Sequence, residues 1–484
     1  MRSVTAVAEA MLRSWRREMI RALGDSVGAY RAVVVTLLLA AAGWVYLAVS
    51  TRKAVGADEL HRAGLHELLL ALTLNLTLAT AALGAVGLIL LIPNESAFGT
   101  LLATAPMRAV QRRLALDLPA MLLTLGLAGS MSAPFLWLSI QGAPGPAEVT
   151  AVVASWLAVA LGGMLVAASV FRLLVSLTVR LVGIHRPLAQ AVGALAMFGL
   201  VGYQCVANQA STDDPTAARW LLRALTHASL AAPAGALAIA FSVVLLAALV
   251  WWATSSLVDR HPAGDRSRLI GLRTARVGRR PRSLTLLELL QATRHPGNVA
   301  LIFVLIGAAI AVAVVEPVRD VLFWPAGGLL IFAMLGLVPL SSYGATWTHH
   351  WIYRAATASR GRWVGPKWAA TAILWLVVFG AISAALLATP GWDPGLVLGA
   401  TPPMVATFAT TMLVGLVIPV GEEQPLSSVA AVVLATTVGL AVSMAFNELA
   451  ASNVLPIVVV VLVMGGGILL YRRLARWRER DLVF

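Results

Sequence analysis

Charge is scarce in this chain. Asp, Glu, Lys and Arg make up 12% of its 484 residues, whereas a water-soluble domain carries about a quarter. Lysine is reduced to Lys53 and Lys367, and cysteine to Cys205. A single thiol excludes an intrachain disulfide, and its apolar surroundings suit a small packing residue. No G-x-x-x-x-G-K-[ST] phosphate loop occurs, so the chain does not hydrolyse ATP by that device. The N-terminus has no small-residue cleavage site after a short apolar core, so no cleaved leader is expected.

Apolar residues are what the chain has instead. They form 59% of it, and the mean hydropathy is +0.85. A water-soluble fold could not hide that much apolar surface, whereas a bilayer removes the need to hide it. Runs of spanning length fall near 31–50, 68–92, 114–140, 149–171, 187–207 and 229–256. A second set falls near 298–315, 321–340, 368–389, 396–420, 426–446 and 454–471. These runs predict an all-α polytopic membrane protein of about twelve transmembrane helices at about 20 residues per span. No soluble core of catalytic size fits in the remainder.

The formal net charge is +14, yet its distribution argues against a nucleic-acid partner. The arginines sit in short segments between apolar runs, as orientation signals do. One side collects Arg13, Arg16, Arg17 and Arg21, then Arg108, Arg112 and Arg113, then Arg172, Arg180 and Arg186. The linker from Arg266 to Arg282 follows, then Arg354, Arg360, Arg362 and Lys367, and finally Arg472 to Arg480. Opposite loops carry Asp213, Asp214, Glu316, Asp320 and Asp393. Arg52, Lys53 and the pair Glu422-Glu423 depart from the pattern. Both termini are therefore expected in the cytoplasm of a bacterial plasma-membrane protein.

The runs divide into two sets of six. Residues 1–256 are expected to form one half, 257–282 a basic cytoplasmic linker, and 283–484 the second half. A helix-prone segment precedes each set, at 4–23 and at 283–294. In the first, Val4, Val7, Met11, Leu12, Trp15, Met19 and Leu23 recur at helical spacing, with arginines mostly opposite. That pattern predicts an amphipathic helix in the headgroup region. Local likenesses support duplication. Arg186-Pro187-Leu188 and Gln424-Pro425-Leu426 open the fifth and eleventh runs. The segment 101–106 likewise has a counterpart at 352–357 after the eighth run. Repeated halves are common in transporters.

An energy source is hard to find within the spans. Ion-coupled transporters place ionisable groups deep in the membrane, but here the run centres are almost free of them. Asp117 falls near the cytoplasmic end of the third run and Glu67 near the outer end of the second, both places where interfacial side chains are common. The amides Asn75, Gln204, Asn208 and Asn447 either line a cavity or hydrogen-bond between helices. His349-His350 point to different helix faces and lack carboxylate or thiol neighbours, so no metal is expected.

The segment 94–119 carries the most information. Glu95 precedes Phe98, then Leu101-Leu102 and Pro106, then Arg108, Arg112 and Arg113 lead into the third run. This order resembles the loop after the second span of type-2 ABC exporter permeases. In that family a short helix there docks on a separate ATPase subunit and carries its motion into the membrane. The resemblance implies ATPase-coupling roles for these eight residues. By position in the second half it implies them also for Trp351, Tyr353, Arg354, Arg360 and Arg362, where the proline is missing.

The same resemblance implies two cytoplasmic ABC ATPase subunits as partners, with ATP and Mg bound on them and no cofactor in this chain. The cargo would be a small lipophilic or amphipathic molecule, moved outward. Two other classes stay open. A major-facilitator transporter would run on an ion gradient without a partner, and Gly264-Asp265-Arg266 is similar to its loop signature at a displaced position. A membrane-embedded transferase would need an outer carboxylate or His constellation, for which Asp213-Asp214 is the one obvious acidic pair.

Overall fold

The computed structural model describes residues 2–22, 31, 34–35, 49, 63–91, 107–183, 186–209, 221–258, 281–294, 296–314, 335–336, 338–344, 362–389, 394–420, 428, 430–435, 438–439 and 455–481. Among these residues every regular element is helical. Two compact units divide the chain: Met1–Arg13 with Leu38–Asp265, and Ser14–Leu37 with Arg266–Phe484.

Helix α1 (Arg2–Ala22) is divided between the two units. Its stripe Val4, Ala8, Met11, Trp15 and Met19 is buried, while Arg13, Arg16 and Arg17 are exposed. The helix and its apolar stripe form as the spacing predicts. Amphipathic spacing requires that one face leave water, and here protein encloses that face.

The first unit continues with α2 (Ala63–Leu91), α3 (Ala109–Gly142), α4 (Pro146–Leu177), α5 (Arg186–Gln209), α6 (Leu221–Ala231) and α7 (Pro233–Val258). The expected run 229–256 is in fact two helices. Pro233 lacks an N–H and fits the first position of a new helix, so the chain breaks at Ala232. Helix α4 packs on α7, α2, α5 and α3. Its core joins Leu70 and Leu74 of α2 to Val152, Ala158 and Val159 of α4, Leu222 and Leu225 of α6, and Ala240 of α7. Close approach depends on small residues, because helices in lipid gain little from apolar burial alone. A Cβ on Gly162 would lie 2.8 Å from Val243, and one on Gly163 would lie 2.8 Å from Leu78.

The second unit contains α8 (Pro281–Arg294), α9 (Pro296–Val314), a 3-10 turn Val338–Ser341, α10 (Val364–Leu387), α11 (Pro394–Val417) and α12 (Leu455–Asp481). Helix α8 forms where a helix was expected, but its buried positions are Leu284 and Glu288 rather than an apolar stripe. Helix α10 packs on α8 and α9, and α11 packs on α12 and the 3-10 turn. Aromatic rings fill the seam beside α10. Trp368 meets Phe408 and Tyr471 edge-on at 5.6 and 5.8 Å, and Trp375 stacks on Phe379 at 5.3 Å.

Backbone meets backbone at Gly415, where an added Cβ would collide with the Leu340 carbonyl of the 3-10 turn. Gly415→Ala should cost about 1–3 kcal/mol, since backbone cannot rotate away as a side chain can. Gly465→Ala, with open space around it, should cost little. Thermal aggregation midpoints in detergent would separate them, and equal midpoints would refute the close packing.

Among the described residues, seven helices are long and apolar enough to cross a membrane: Leu65–Leu90, Val110–Gly142, Pro146–Val182, Leu188–Cys205, Pro233–Ser255, Val364–Leu387 and Val458–Arg476. Shorter apolar helices include Leu301–Val314 and Thr401–Val417. Large apolar side chains also face outward, among them Phe241, Leu246, Val377, Val461, Leu462 and Leu469. Long apolar helices whose outer faces are apolar identify a helical membrane protein. The expected runs 31–50, 321–340 and 426–446 lie largely outside the described residues.

Candidate functional site

The foot of α3 is where the sequence placed the basic segment. Arg108 stands at the N-cap, in extended conformation, and its N–H donates to Gln111 Oε1 at 3.3 Å. The Arg108 side chain is exposed. Arg112 is half-buried, and its Nε is buried without a hydrogen-bond partner. Arg113 turns inward, with Nε 3.3 Å from Asp117 Oδ2 one turn later.

Asp117 gathers three helices. Arg172 of α4 donates to it twice, from Nη1 to Oδ2 at 2.7 Å and from Nη2 to Oδ1 at 2.6 Å. Trp251 of α7 adds its indole N–H to Oδ2 at 3.0 Å. The side chains of Arg113 and Arg172 keep 11% and 13% exposure, against 8% for Asp117. A planar guanidinium matches both carboxylate oxygens at once, which fixes the relative orientation of α3 and α4 as well as their attraction. Asp117 does lie near the start of its run, as the sequence indicated, and it is buried against neighbouring helices rather than exposed.

The second unit has its own buried pair. Lys367, in the first turn of α10, donates from Nζ to Glu288 Oε2 of α8 at 2.8 Å and to the Ser342 carbonyl at 2.9 Å. The side chains are 1% and 5% exposed. The Trp363 ring lies 5.8 Å from the ammonium, within cation–π range. Glu288 Oε1 is buried with no hydrogen-bond partner.

These two feet share a sequence register that the reading of the loops passed over. Arg108-x-Val110-x-x-Arg113-x-Ala115 aligns with Arg362-x-Val364-x-x-Lys367-x-Ala369. In each, the first cation is exposed and the second turns inward into an ion pair, half-buried at Arg113 and fully buried at Lys367. Sequence reasoning treated Arg172 and Lys367 as topology markers and missed Trp251 and Glu288. The available signals were this register and the lone acid in the apolar stretch Leu286-Leu287-Glu288-Leu289-Leu290.

The expected amides are also placed. Asn208 donates to Asn75 Oδ1 at 2.8 Å and to the Ala71 carbonyl at 3.3 Å, while Thr226 donates to Asn208 Oδ1 at 3.0 Å. Asn75 donates to the Cys205 carbonyl at 3.2 Å, so α2, α5 and α6 are joined by one polar chain. Gln204 is half-buried on α5. Arg362 is exposed beside α10. Glu95, Phe98, Leu101, Leu102, Pro106, Trp351, Tyr353, Arg354, Arg360 and Asn447 lie outside the described residues.

Chemically, these clusters tie helices together through ion pairs, in which each carboxylate is held by at least one cation. Comparison with protein-family models, with curated proteins and with solved structures gives no match to this chain.

Proposed function

We propose that this chain is the membrane-spanning permease of an ATP-driven exporter of the type-2 ABC kind. It has twelve spans in two halves, and its ATPase subunits are supplied in trans. The repeated foot carries the reading: an exposed arginine, then an inward-turned cation ion-paired into the bundle, at the start of a long apolar helix in each unit. A push on Arg108 or Arg362 from a cytoplasmic subunit would reach a helix that is locked to its neighbours. The lack of a phosphate loop in the chain fits energy arriving from outside the bilayer. Both termini then lie in the cytoplasm of a bacterial cell, and apolar spans suit a lipophilic or amphipathic cargo.

Charge reversal tests this at the residues that can meet a partner. Arg108→Glu with Arg112→Glu should weaken co-purification of the ATPase at least tenfold while leaving the thermal midpoint near wild type. Unchanged association and ATPase stimulation would sink the docking assignment. Arg113 is unsuitable for the test, since a glutamate there would face Asp117.

The buried Glu288–Lys367 pair favours a second reading, an ion-coupled transporter, because intramembrane ionisable groups often mark ion paths. Transport that survives collapse of the proton gradient, with ATP intact, decides against it.

A further inference from the structure

We propose that the Arg113–Asp117–Arg172 cluster binds the phosphate of an anionic phospholipid headgroup. The inference needs only the membrane location of the first unit and is independent of the transport reading. Its starting point is a mismatch of charge and of hydrogen-bonding capacity. Among the described residues, two guanidiniums face one carboxylate, which leaves positive charge in excess in a mostly buried place.

A carboxylate offers about four lone-pair sites. Asp117 already accepts hydrogen bonds from both Nη groups of Arg172 and the indole N–H of Trp251, and the Nε of Arg113 pairs with it electrostatically at 3.3 Å. Most of its acceptor capacity is therefore committed to Arg172 and Trp251. Each guanidinium carries five N–H donors, and the Nε of Arg172 is buried with no partner at all. What is missing is an oxyanion with several acceptor atoms. A phosphate has that form, and arginine pairs with it through two parallel bonds.

Depth selects the lipid. The span Val110–Gly142 has 33 residues, about 50 Å at 1.5 Å per residue, against a hydrocarbon core of about 30 Å. A helix centred in the bilayer therefore extends about 10 Å beyond the core at each end. Asp117 lies seven residues after Val110, about 10 Å along the axis, which puts it at the edge of the core. Pro146–Val182 has 37 residues, and Arg172 lies ten before its end, so it reaches the same boundary from α4 at about 15 Å. Lipid phosphates occupy that level. Trp251 sits where indoles gather at the interface. Its neighbours on α7, Leu249, Val250 and Trp252, are exposed and offer an apolar surface for the acyl chains. Basic sites between spans at a membrane face are known binders of anionic headgroups.

The experiment compares thermal unfolding of the full chain in nanodiscs of phosphatidylcholine alone and with 30 mol% phosphatidylglycerol. Wild type should unfold several degrees higher with phosphatidylglycerol. Arg113→Gln, which leaves the Arg172–Asp117 pair in place, should lose at least half of that increment. Arg476→Gln, an exposed arginine of α12, should keep it. An increment retained in full by Arg113→Gln, or absent in wild type, overturns the proposal. Inorganic phosphate that reproduces the increment in phosphatidylcholine nanodiscs overturns the lipid assignment in favour of a soluble anion. Should Arg113→Gln not fold, a photoactivatable phosphatidylglycerol in the wild-type protein decides. Labelling at the foot of α3 and the end of α4 supports the site, and labelling confined elsewhere refutes it.

Discussion

Lys367→Met is expected to lose about 3–5 kcal/mol of stability, the cost of leaving a buried charge without its partner. The methionine fills much of the same volume, so the loss is electrostatic rather than a cavity. Glu288 Oε2 would be stranded, its Oε1 already lacks a donor, and the Ser342 carbonyl would lose one. The double variant Glu288→Gln/Lys367→Met should recover most of the loss, because replacing a whole buried pair with neutral groups is often nearly neutral. Unfolding midpoints of fluorescent-protein fusions in detergent would measure both. A double variant no better than the single one would show that Lys367 acts through packing in the aromatic seam instead.

Asp117→Asn should cost a similar amount, about 3–5 kcal/mol, for the opposite reason. It preserves shape and leaves two guanidiniums facing each other with no anion between them. Adding Arg113→Gln should return part of the stability by lowering the repulsion, whereas a distant exposed arginine should return none. An Asp117→Asn protein as stable as wild type would mean that water or lipid screens the cluster far better than its burial implies. Of the two variants, Lys367→Met should be the more severe, because its pair is almost wholly enclosed.

Both predictions concern residues that the linear pattern led toward without identifying their use. The basic run before the third span was visible, and so was its place at a helix start. The direction of each side chain was not. Arg108 and Arg113 have the same charge and lie five positions apart, yet one is exposed and the other is locked to Asp117. Scarcity of ionisable groups in the run centres was read correctly as a count. It gave no hint that the few present at the run ends would pair: Asp117 with Arg172, 55 positions apart, and Glu288 with Lys367, 79 positions apart.

The helices themselves were more legible than the pairs. The expected runs 68–92, 114–140, 149–171 and 187–207 fall within or nearly within α2, α3, α4 and α5. A bilayer demands about 20 apolar residues and internal hydrogen bonding of the backbone, and composition alone records that demand. The break at Pro233 lay within reach of the same reasoning, since proline's missing N–H is a local property.

By itself, then, the sequence determined a helical chain for a membrane, with its charge gathered at span ends. It did so because length and hydropathy are local and a bilayer reads them locally. Tertiary structure decided what covers the stripe of α1, which acid holds Lys367, and whether Arg113 faces a partner or the bundle. Those outcomes depend on distant segments meeting, and a buried charge is tolerable only where the meeting supplies its counter-charge.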